Sequence, residues 1–155
     1  MKERIMKPFK TLAVAAVVSL TASTLMAERI SVSSNANVDQ SVGRLEAAVT
    51  AAGARVFTKV DFAKGANTQG ETLRPTTIVI FGSPKIGSTT LQKGQTMALN
   101  LPLRVLFFED ATGQTWATYD DPVAIAPTHG IGADNPAILR MKGALEKFVS
   151  AATGQ

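Results

Sequence analysis

Two glycines separated by four residues, in the run Gly82-Ser83-Pro84-Lys85-Ile86-Gly87-Ser88-Thr89, directly follow a β-branched stretch and outline a phosphate-binding loop. The lysine that such a loop needs after its second glycine, to reach the β- and γ-phosphates, is replaced by Ser88. Nucleotide hydrolysis is therefore not read here. What remains is a turn ending a strand, whose backbone N–H groups and Lys85 can bind an anion. The other groups with chemical capacity are scattered. His129, the only histidine, can serve as a general base or as one metal ligand. One histidine and no cysteine do not make a zinc site, so no metal and no cofactor are expected, and a hydrogen-bonded loop histidine is the plainer role. Glu109, Asp110, Asp120 and Asp121 form two acidic pairs near the ends of a hairpin. Paired carboxylates can divide acid and base roles, although acids around turns more often cap or face water. Arg104 stands among apolar strand residues and calls for a partner, with Asp61, Glu109 and Asp121 the candidates.

The elements that position these groups follow from periodicity. Residues 29–34 read as a strand. Asn37 with Gln40 has the spacing of a capping box, and Val38, Val42, Leu45, Val49 and Ala52 then recur at helical spacing up to Gly53, a left-handed cap. Residues 54–60 alternate as a strand, and the polar stretch 64–74 reads as a loop or short helix. Pro75 introduces a strand at 76–81, and residues 85–98 read as a short irregular helix with loops. A strand at 102–108, a turn at 109–113 and a strand at 114–119 form a hairpin. Pro122, Pro127 and Gly130 mark a long connection before a last helix that is capped by Asp134 or Asn135 and has Pro136 in its first turn. The order is strand, helix, four strands, helix. It predicts an α+β two-layer sandwich with a mainly antiparallel sheet of about five strands and two main helices.

The central strands are apolar on both faces. Leu103, Val105 and Phe107 oppose Arg104, Leu106 and Phe108, and Val79 and Phe81 oppose Ile78 and Ile80. A half-solvated sheet would alternate apolar with polar residues, and two helices cover one face only. Three coverings satisfy the second face: another subunit, a bound ligand, or the 85–98 segment folded across it. Trp116 and Tyr119 fall on opposite faces of their strand, Trp116 as a core or interface anchor and Tyr119 presenting its hydroxyl to a groove.

The N-terminus is read separately. Lys2, Arg4, Lys7 and Lys10 precede an apolar run at 12–20 and small residues ending at Ala27, the pattern of a cleaved export signal with residues 28–155 as one mature domain. Removing residues 1–27 takes away four of the 16 basic residues and one of the 12 acidic ones, leaving a nearly neutral chain. That balance excludes a nucleic-acid partner. With no cysteine, stability in an oxidising compartment must come from packing. The expected setting is the bacterial periplasm, with no membrane association once the signal is removed.

Taken in order, Val60-Asp61, Leu73 through Lys85 (LRPTTIVIFGSPK), Leu99 through Arg104 (LNLPLR), Glu109-Asp110, Gly113, Tyr119 with Asp121 and Pro122, and His129-Gly130 resemble the domain of unknown function 302 family. The family pattern has Asn where Ser83 stands and often His where Phe62 stands. The resemblance implies a two-layer α/β domain like half of the TATA-binding protein, and dimers, but no assigned reaction. The reading is an exported module, paired as a homodimer, that uses its second sheet face to hold a small ligand or another subunit. Its candidate binding residues are Lys85, Arg104, Glu109, Tyr119, Asp121 and His129, with no catalytic residue assigned. The alternative is a small periplasmic enzyme using His129, Tyr119 and Glu109 for proton transfer, which requires them to converge on one point.

Overall fold

A computed structural model describes residues 29–155, and the export signal read at 1–27 lies outside the described residues. Five strands, β1 (Arg29–Ser33), β2 (Arg55–Asp61), β3 (Thr76–Gly82), β4 (Leu103–Glu109) and β5 (Thr115–Asp120), form one sheet in the order β1-β5-β4-β3-β2. Every neighbouring pair is antiparallel. Helices α1 (Val38–Ala51) and α5 (Pro136–Thr153) pack together on one face. Shorter helices α2 (Phe62–Asn67), α3 (Pro84–Leu91) and α4 (Pro122–Ile125) and two 3-10 turns (Gln95–Leu99 and Ala126–His129) complete the chain. The fold is the predicted α+β sandwich.

Local chemistry explains the two long helices. Asn37 accepts from the Gln40 N–H at 2.9 Å while the Gln40 side chain accepts from the Asn37 N–H at 3.4 Å, so the capping box closes. Gly53 takes φ 71 just beyond the α1 cap, a conformation that costs glycine nothing. Asn135 caps α5, accepting from the Ala137 N–H at 2.9 Å, with Pro136 following it. The apolar stripe of α1 then buries Val42, Leu45 and Val49 against Val79, Phe81, Val105, Phe107 and Ala117 of the sheet and Leu145 and Phe148 of α5. A second cluster joins Met97, Ile125, Ala126 and Ile131 to Ile138 and Met141 of α5.

The second sheet face has a different fate from any covering by the chain itself. The 85–98 segment does not fold across it. Ile86 and Leu91 pack into the second cluster, beside α5. Ile78, Ile80, Leu106 and Phe108 keep partial exposure, and Val60 is 41% exposed. The outward surface is not apolar throughout, as the central strands alone suggested. Toward β1 it becomes polar: Ser31 and Thr118 share a hydroxyl hydrogen bond of 2.9 Å, and Arg29 reaches Asp120 at 3.6 Å.

Candidate functional site

The six residues singled out by sequence do not meet at one point, although Tyr119 and Asp121 both lie near Lys142. Lys85 is exposed in the first turn of α3. Arg104 is exposed on the outward face, in register with Ile80, and among the described residues it forms no salt bridge. The partner sought for it is unnecessary because the guanidinium stays in water. Two of the acids proposed for it are engaged elsewhere. Asp61 caps α2 through the Lys64 N–H at 2.8 Å, and Asp121 caps α4 through the Val123 N–H at 2.9 Å. Asp121 also lies 3.9 Å from the Lys142 ammonium. Glu109 ends β4, where its carbonyl accepts from the Arg74 side chain at 3.0 Å.

Tyr119 is 6% exposed and sits in the main core, because alternation with Ala117 turns it toward the helices. Burial holds its phenol above the ordinary value, and the Glu146 carboxylate adds to the rise. The Lys142 ammonium, hydrogen-bonded to Glu146, is likewise held above its usual range. His129 has both ring nitrogens occupied, Nδ1 with the Thr96 hydroxyl at 3.0 Å and Nε2 with the Asn100 amide oxygen at 2.8 Å. An amide oxygen only accepts, so Nε2 donates to Asn100, and Nδ1 shares a hydrogen bond with the Thr96 hydroxyl. The imidazole thus ties one 3-10 turn to the other. Glu109 is paired with Thr115, while Tyr119 stands four residues further along β5, roughly 13 Å away. His129 is anchored to the segment that precedes β4. The three groups of the enzyme reading therefore share no common point.

What the fold does build is an apolar groove of about 450 Å3 at the end of the sheet. Its walls come from four separated stretches: the α1 end with Phe57 of β2, the turn from β3 into α3, residues 98–103, and one side of α5. Phe81 and Phe148 meet edge to face at its base, with ring centroids 5.8 Å apart. A register shift between Val56 and Thr58 sets Phe57 at the groove, 46% exposed, with the Arg55 guanidinium 5.9 Å from its ring centre. Gly82 has room for an ordinary Cβ only against Phe57 and Pro102, at 3.5 and 3.7 Å, so its missing side chain keeps that wall open. Pro84 starts α3 directly after the strand, and the Leu101–Pro102 peptide bond is cis in the adjoining 98–103 wall.

Chemically this is a place for apolar matter. The only hydroxyls on its walls are Ser83 and Ser88, and among the described residues no cluster of three or more His, Asp or Glu could hold a metal. Volumes of about 300–1,000 Å3 are usual for small-molecule sites. The GSPK turn belongs to the groove through Pro84 and Ile86, with the exposed Lys85 between them in sequence. Sequence reasoning found that turn and missed the groove. Its one visible signal was Phe57, the single aromatic of edge strand β2.

The chain belongs to the family described as Domain of unknown function DUF302, whose model matches residues 30–149. It is similar in fold to an uncharacterized conserved DUF302 protein from Bacillus stearothermophilus, with a TM-score of 0.65 and 16% identity over 81% of this chain and 95% of that one. It is also 34% identical over 119 residues to Fluoride-specific ion channel FluC 1 of Brucella suis, covering 77% of this chain and 47% of that protein. Fluoride-specific ion channel FluC 2 of Brucella melitensis matches at the same identity over 44% of its length. The chain thus spans less than half the length of these curated relatives. Among its described residues no helix is long and apolar enough to cross a membrane.

Proposed function

We propose that this DUF302 protein is an exported binding module that holds a small apolar ligand in the groove at the end of its sheet and pairs with a second copy through its outward sheet face. The observation that carries the ligand is the groove itself: about 450 Å3, walled by Phe57, Phe81, Ile86, Leu91, Met141 and Phe148. An apolar cleft of that size left to water forgoes about 25 cal/mol for each Å2 an apolar guest would cover. The pairing rests on Val60, Ile78, Ile80, Leu106 and Phe108, an apolar patch that the helices leave uncovered. In the Brucella relatives we assign channel activity to the portion that this chain does not share, and read the shared portion as an accessory that binds.

The test fills the groove. Ala144, on the α5 wall, and Gly87, whose Cβ direction is open, accept larger side chains. The neutral fluorophore N-phenyl-1-naphthylamine should brighten on adding wild-type protein. Ala144→Trp and Gly87→Phe should each weaken that binding by roughly ten-fold or more, the scale of about 1.4 kcal/mol. Unchanged binding in both folded variants, or none to the wild type, refutes the groove as the ligand site.

A further inference from the structure

Charge on the stretches that wall the groove is mostly positive. No Asp or Glu occurs between Glu71 and Glu109, a span that includes β3, α3 and the 98–103 wall. The stretch from Ala52 to Phe57 contributes Arg55 and no acid, and Arg55 stands over the Phe57 ring. On α5, Arg140 is four residues before Ala144 and Lys147 three residues after it, so both lie beside the groove wall, and both are exposed. Glu146, the one acid among these wall stretches, falls on another side of α5 and is held by Lys142. Arg55, Lys85, Arg140 and Lys147 form no salt bridge among the described residues.

We infer that the groove takes a free, single-chain anionic amphiphile, a medium-length fatty-acid-like carboxylate, with its apolar chain against Phe57, Phe81 and Phe148 and its head among Arg55, Lys85, Arg140 and Lys147. This rests on the groove being the ligand site and adds the ligand's charge. Apart from the Ser83 and Ser88 hydroxyls the walls are apolar and cannot neutralise a carboxylate, so the head stays at the rim, toward the exposed cations of the wall stretches. Exposed charges give modest attraction that salt weakens, which sets the size of the effect to be measured.

Calorimetric titration with decanoate and decanol, on the purified protein, separates the two layers. Decanoate should bind roughly ten-fold more tightly than decanol at low salt, and the advantage should shrink toward unity as salt approaches about 1 M. Arg55→Gln with Lys85→Gln should reduce the decanoate advantage by roughly three- to ten-fold while leaving decanol binding unchanged. Equal binding of the two amphiphiles, with both blocked by Ala144→Trp, overturns the anionic assignment and leaves the groove reading standing. Binding of neither overturns both. Association with phosphatidylglycerol vesicles without decanoate binding in solution would make the cations a membrane-facing patch and also overturn the assignment. So would loss of decanoate binding on self-association, which would put a second copy in the groove.

Discussion

Asp110 is the most tightly held carboxylate among the described residues. Its Oδ1 accepts from the Thr112 hydroxyl at 2.6 Å and the Thr112 N–H at 2.8 Å, and its Oδ2 accepts from the Trp116 indole N–H at 2.8 Å. Those bonds, the Thr112 and Trp116 side chains foremost, hold its carboxyl well below the usual range. A depressed folded-state value contributes stability above the ordinary carboxyl range of about 4, and that contribution is lost as pH falls below it toward the folded value. Trp116 is the sole tryptophan, so its fluorescence reports this bond. Emission should stay constant from pH 7 to about 4 and change only at lower pH, and Asp110→Asn should abolish the component arising from this contact. A transition centred near pH 4 would contradict the arrangement. The spacing of Asp110 before Thr112 and Gly113 shows a turn in sequence, but the indole partner does not show, since it depends on the β4–β5 register. Tyr119 illustrates the opposite case. Its face relative to Trp116 was legible, whereas which face the helices cover was not, and that decided between groove and core.

Elements set by local chemistry were legible. Asn37 with Gln40, Gly53, and Asn135 with Pro136 mark the two long helices, because caps and left-handed turns are specified within a few residues. The five strands were found within a residue or two of their ends for the same reason. Elements that depend on tertiary support were not. Helix α4 and the following 3-10 turn read as a long connection, since four-residue elements carry no apolar period. What holds them is Asp121 at one end and the His129 bonds to Thr96 and Asn100 at the other. The register shift that sets Phe57 at the groove is similarly silent in sequence, because pairing with β3 creates it. The groove was therefore hidden, being assembled from four stretches whose proximity is a property of the fold.

For the molecule as a whole, one sheet face is closed by α1 and α5 and the other carries an apolar patch in water. Leu106 lies near its middle, between Ile78 and Thr118 in register. Leu106→Asp should halve the mass measured by sedimentation while the circular dichroism spectrum is retained, because a partly exposed side chain bears little of the core. A wild-type chain that sediments as a monomer at tens of micromolar would contradict pairing through this face. The groove and the patch are distinct surfaces, and the account assigns the ligand to the groove. Methyl nuclear magnetic resonance during titration with decanol separates them most directly. Shifts are expected at Met141, Ile86, Leu91, Leu101 and Leu103, with Ile78, Ile80 and Leu106 unmoved. Shifts at the sheet-face methyls, with Met141 and Ile86 unmoved, would contradict the groove assignment.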